Sequence, residues 1–218
     1  MNRVCRSWPA RLGVAIVAVI SATSLAPSAA QADGVTPLVF EGLANLPQFP
    51  CPAGPTNCEG SFEGTVSGEI GGTHLNRPWT VTLRDATMTA DFFYSDGNCV
   101  RGTASGTATI TAGSGAAFGT YDKGESLPRA ITGVQITASF QWSRDGITAL
   151  VVPIADGDVT VNVADQGWVT VASGATGAGE AAFVPHVDAD DQPDCVGLTN
   201  RPAITADVAG TVALARLV

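Results

Sequence analysis

The chain has 218 residues, with 11 Lys and Arg against 20 Asp and Glu, a formal net charge of −9, five Cys and 25 Gly. So acidic a chain repels nucleic acid and anionic lipid, which removes both as expected partners. The length suits one domain with a sizeable core.

The first element is a targeting segment. Arg3, Arg6 and Arg11 precede a short apolar run, Leu12 to Ile20, well under the roughly 20 residues that cross a bilayer. A small, polar stretch follows, and Ala30-Gln31-Ala32 fits a small-x-small cleavage site. The expectation is a signal peptide over residues 1–32, a mature domain over 33–218, and secretion to the extracellular space. The competing reading is an uncleaved anchor. Later apolar runs are too short to span, so no integral membrane segment is expected after cleavage. With Arg3, Arg6 and Arg11 removed, the eight basic residues left against twenty acidic ones give the mature chain −12.

From Gly60 onward the sequence alternates every two residues, the period of half-buried strands. Phe62, Val66 and Ile70 share one face, with Gly60, Gly64 and Gly68 between them. Trp79, Val81 and Leu83 form the next set, then Val100, Ala104, Ala108 and Ile110 opposite a row of Thr and Ser. Asp122 to Arg129 reads as an exposed loop joining two halves. Val134, Ile136, Ala138, Phe140 and Trp142 come next, and Asp145-Gly146 is a hairpin signal. Asp156-Gly157 and Gln166-Gly167 read as further turns, so Val134 to Ser173 is expected to be a meander of four strands. Gly174 to Gly179 reads as a flexible turn, and Ile204, Ala206, Val208, Val212 and Leu214 share the last face. The fold class is all-β: a single-domain antiparallel β-sandwich or barrel-like fold of roughly ten to twelve strands. Inward Gly and Ala would let the sheets approach or bend closely.

Cys5 leaves with the leader, and Cys51, Cys58, Cys99 and Cys195 remain. An even number in an exported chain reads as two disulfides with three possible pairings. The favoured pairs are Cys51–Cys58, inside one Pro- and Gly-rich loop, and Cys99–Cys195, each after turn-like residues. In the chain-entropy account they contribute about 2.5 and about 4.7 kcal/mol. Paired C-x-x-C spacing is lacking, which disfavours zinc.

Catalytic chemistry is thinly represented. The mature chain has only His74 and His186. The two strings nearest a nucleophile elbow, Gly64 to Gly68 and Gly102 to Gly106, carry Ser67 and Ser105 one place late and inside strands. His74 sits in Gly71 to Asn76, read as an ordinary loop. His186-Val-Asp188-Ala-Asp190-Asp191-Gln-Pro-Asp194 resembles the start of a calcium loop but lacks its turn Gly and closing Glu. It is read as a solvated acidic loop, with no metal and no cofactor expected. Glu41, Glu63, Glu69 and Glu180 are available for glycoside hydrolysis, which needs two carboxylates across a cleft. Trp79 and Trp142 fall on apolar faces. Trp168 alternates with Thr170 and is the candidate for surface recognition, able to stack on a sugar or anchor a partner.

Phe40-Glu41-Gly42, Phe49-Pro50-Cys51-Pro52, Cys58 to Gly64 and Gly102 to Gly106 together resemble uncharacterised secreted β-rich proteins of actinobacteria. The resemblance implies export and an all-β fold and carries no functional residue. The expected function is a non-catalytic secreted binding or cell-surface interaction module, its partner an extracellular protein or carbohydrate. The alternatives are a secreted carboxylate-dependent polysaccharide hydrolase and an inhibitor of secreted hydrolases.

Overall fold

The computed structural model describes residues 37–46, 58–97, 101–124, 127–145, 149–186 and 204–215. The leader and its cleavage site lie outside these. The described residues form one antiparallel sheet of nine strands: β1 (Leu38–Leu46), β2 (Glu59–His74), β3 (Arg77–Gly97), β4 (Arg101–Ala112), β5 (Ala117–Tyr121), β6 (Arg129–Asp145), β7 (Ala149–Val163), β8 (Gly167–Pro185) and β9 (Ile204–Ala215).

The ladder closes on itself. β2 pairs with both β1 and β3, and β9 pairs with both β8 and β1. β4 and β5 share one position between β3 and β6. β4 pairs with Thr87–Gly97 of β3, while β5 pairs with Trp79–Leu83 of the same strand. The step between them is a tight turn in which the Gly113 carbonyl accepts from the backbone N–H groups of Ala116 and Ala117. Closure satisfies the backbone groups that an open sheet would leave exposed at its edges.

The inward sets expected from the alternation are buried. Val66, Ile70, Trp79, Val81, Leu83, Val134 and Ile136 are each 3% exposed or less. The outward faces of β3, β4 and β6 carry Thr, Ser, Gln and Asp in register, as in Thr87–Thr111–Gln135 and Asp91–Thr107–Ser139.

Four expectations need correction. Among the described residues nine strands stand where ten to twelve were expected for the mature chain, because two glycine-containing signals are bulges and not turns. Asp156, at φ 52°, and Gly157 sit within β7, where the register against β6 and β8 shifts. Gly174, at φ 66°, lies within β8 beside the Ala172–Ala175 step. A bulge uses one residue at positive φ and lets the strand continue, whereas a type I′ turn needs two. The Val134 to Ser173 meander therefore has three strands, β6 to β8. The 122–128 loop joins β5 to β6, which pair with each other, and so does not link two halves. Lastly, Gly71 to His74 are strand. The turn after them is the two-residue pair Leu75 (φ 52°) and Asn76 (φ 62°).

Candidate functional site

The interior differs along its length. At the end where β2 turns into β3 and β7 into β8, large side chains fill it: Trp79, Leu83, Val134, Val159, Val161 and Val163 are almost fully buried. Toward the other end the inward residues become small. Register places Ala90, Ala108 and Ala138 side by side on β3, β4 and β6. Gly106 lies in the next layer, between Phe92 and Phe140. Three neighbouring strands thus present no side chain larger than a methyl group at one level.

The result is a cavity of about 120 Å3. Residues of all eight strands other than β5 line it, so it lies at the centre of the closed sheet. Met88, Ala108, Phe140 and Ile154 point inward yet are only partly buried and line this space. Its walls are aliphatic and aromatic apart from Thr211, an exposed residue that alternates outward between Val212 and Gly210. Among the described residues no Asp, Glu, His, Lys, Arg or Cys lines it. A void with such walls stays dry and favours apolar guests.

Aromatic rings define one wall. Trp142 meets Tyr94 edge-on at 4.9 Å between centroids and Phe92 at 6.1 Å, and Phe92 meets Phe140 at 6.3 Å. Edge-to-face pairs of this kind contribute about 0.5–1.5 kcal/mol each beyond their buried area. Two glycines make room for rings. A Cβ at Gly60 would overlap the Phe92 ring, and one at Gly64 would overlap the Phe62 ring and the backbone of β1. Inward glycine therefore serves close approach, as the sequence suggests, and inward alanine leaves the space unfilled.

The strand ends nearest the aromatic wall are those of β1, β2, β3, β4, β6, β7, β8 and β9 that connect through 47–58, 98–100, 146–148 and 186–203. Cys58, just before β2, stands at this end of the sheet. Cys58 is disulfide-bonded, and its carbonyl accepts from the Tyr94 N–H at 3.1 Å. Cys51, Cys99 and Cys195 lie outside the described residues, as do Asp188, Asp190, Asp191 and Asp194.

The other sequence candidates are not at the cavity. Trp168 is 54% exposed on the outer face, with its ring against Gly133 on β6. Trp79 and Trp142 are core residues, and the buried Trp79 Nε1 has no hydrogen-bond partner among the described residues. His74 Nδ1 lies 3.0 Å from the Tyr121 hydroxyl at the filled end. His186 Nε2 lies 2.7 Å from Asp207 Oδ2, and its Nδ1 lies 3.3 Å from the Thr205 hydroxyl. That trio is exposed on the outer face, and no cavity wall includes it. The Ser67 hydroxyl accepts from the Asp85 N–H at 2.9 Å, fixing a bulge where Asp85 has φ 50°. Ser105, Glu41, Glu63, Glu69 and Glu180 are all exposed on the outer face and lie outside the cavity. Among the described residues no group of three His, Cys, Asp or Glu side chains is placed to hold a metal ion.

The central cavity is the feature sequence reading missed. Its signal was present in the three inward alanines, but their coincidence depends on register between strands that sequence spacing does not give. No family model matches the chain, and no curated protein or solved structure shows significant similarity to it.

Proposed function

We propose that this is an exported, non-catalytic binding protein whose closed sheet acts as a barrel around one small apolar ligand. The observation that carries the reading is the central cavity, whose lining offers shape and apolar contact and no acid, base or nucleophile. A closed sheet of about eight staves is just wide enough either to fill with side chains or to hold one small ligand. Here one end is filled and the other hollow. The outer face is rich in Thr, Ser and Gln, the reverse of the lipid-facing apolar band of a membrane barrel, and this favours a molecule bathed in water inside and apolar within. Export, two disulfides and an extracellular ligand remain part of this proposal. The hydrolase alternative is weakened because none of its candidate carboxylates reaches the cavity.

The test is fluorescence titration of the purified mature protein with 1,6-diphenylhexatriene, an uncharged, rod-shaped dye without fused rings that brightens in apolar surroundings. One saturable site is expected. Ala90→Phe and Ala108→Phe, which project a ring into the cavity, should each weaken binding at least tenfold with circular dichroism unchanged. Dye binding that survives both substitutions in folded protein refutes the cavity as the site.

The exposure of Trp168 favours a second reading, in which the outer face recognises a carbohydrate or a protein. Binding to cell-wall polysaccharide that Trp168→Ala weakens, with dye binding intact, would establish it alongside the first.

A further inference from the structure

We propose that the ligand is an uncharged, single-chain amphiphile, a fatty alcohol or an open-chain isoprenoid, held with its chain along the axis of the closed sheet; this rests on the binding reading above.

The shape of the space carries the argument. Its walls run from Met88 to Tyr94 on β3 and from Ile136 to Trp142 on β6. Each span is six residues, about 20 Å along the strand. A strand tilt of about 35–45° reduces that to about 15 Å along the axis. The 120 Å3 is the room open to the centre of a water-sized sphere of about 1.4 Å radius, so drawn out over that length it corresponds to a bore about 6 Å across. Such a passage admits a methylene chain and excludes a fused ring system, which needs width and not length.

The chemistry of the walls carries the rest. A carboxylate or ammonium inside this lining would lose its water and meet no opposite charge among the described residues, a cost no apolar contact offsets. The net charge of −9 adds repulsion against an anion approaching from solvent. A hydroxyl head loses far less on desolvation, and the chain gains the most where the passage is longest.

The experiment is displacement of 1,6-diphenylhexatriene by octanol, dodecanol and hexadecanol, with anthracene and dodecanoate as comparison ligands. Affinity should rise about fourfold per added methylene until the passage is full, then level off. Ala138 stands between Ile136 and Phe140 in the wall, so Ala138→Leu should move the levelling-off point to a shorter alcohol; Ala138→Val provides a milder version should the larger residue impair folding. If the dye binds but the alcohols show no chain-length dependence, or anthracene displaces it better than dodecanol, the chain proposal fails while the binding reading stands. If dodecanoate competes as well as dodecanol, the uncharged head is wrong. If the dye itself does not bind, both readings fail together.

Discussion

Replacing an inward alanine by leucine has opposite consequences at two positions on β4. Ala108 lines the cavity; Ala112, four residues along on the same face, is 2% exposed and lies outside it. A cavity left in a core costs about 24 cal/mol per Å3, so 120 Å3 corresponds to about 2.9 kcal/mol. Leucine adds three carbons to alanine, and at about 0.8 kcal/mol per buried methylene their transfer is worth about 2.4 kcal/mol. Incomplete fit reduces this, and Ala108→Leu should stabilise the protein by about 1–2 kcal/mol, raising the melting temperature by about 2–8 °C. Ala112→Leu adds the same three carbons where Val134 already packs against them. Overpacking there should cost about 1–3 kcal/mol. Urea denaturation of the two variants and the parent measures both numbers, and a constant slope against urea would show that the difference lies in stability. Equal destabilisation by the two substitutions would mean that the space beside Ala108 is already full, and the binding reading would lose its foundation.

Two further outcomes test the backbone features that displaced the expected turns. Leu75 occupies a positive-φ position of a two-residue hairpin and is 76% exposed, so Leu75→Asn relieves strain without losing packing and should raise stability by about 0.5–1 kcal/mol in the same denaturation assay. Asp156 holds the β7 bulge at φ 52°, so Asp156→Val should destabilise by about 1–2 kcal/mol while Asp156→Gly stays within about 0.5 kcal/mol of the parent; equal effects would show that the left-handed conformation is not what the position requires.

The fold class was legible because burial follows the two-residue period wherever a strand is unbroken. Val134 to Trp142 alternates in sequence, and the same residues alternate inward and outward in the sheet. Strand number was misread where one dipeptide has two uses. The same Asp-Gly pair stands at Asp145-Gly146, where β6 ends, and at Asp156-Gly157, where Asp156 takes φ 52° in a bulge and β7 runs on, and only the presence or absence of a partner strand running on past it distinguishes them. Closure was not legible, since the β9–β1 pairing joins residues such as Phe40 and Gly210 that lie at opposite ends of the chain. The cavity was hidden for the same reason. Alanine at 90, 108 and 138 reads as ordinary strand composition until the registers of β3 on β4 and β4 on β6 align the three. Trp79 and Trp142 were recognisable as core from their apolar neighbours, whereas the alternation of Trp168 with Thr170 made exposure only one candidate, which the structure bears out.

The hollow part of the interior and the disulfide-bonded Cys58 lie at the same end of the sheet, and the coincidence has an energetic meaning. Where side chains leave space, packing contributes less, and the strand ends around Tyr94, Ala104 and Trp142 depend more on other restraints. A disulfide supplies such restraint by limiting the unfolded chain, typically by about 2–4 kcal/mol, which is comparable with the cavity cost of about 2.9 kcal/mol. Cys58 is bonded and its carbonyl holds the Tyr94 N–H, so one of these restraints acts directly on the aromatic wall. Reduction should therefore loosen the molecule unevenly. Under a reductant that leaves the protein folded, backbone hydrogen exchange should quicken at Tyr94, Ala104, Trp142 and Phe183 and stay slow at Val81, Val134 and Val161, which sit among large side chains at the filled end. Dye affinity should fall in parallel, because the loosened wall is the wall of the site. Uniform acceleration across both ends would show that the two parts of the interior are equally well packed and that the disulfides stabilise the fold as a whole.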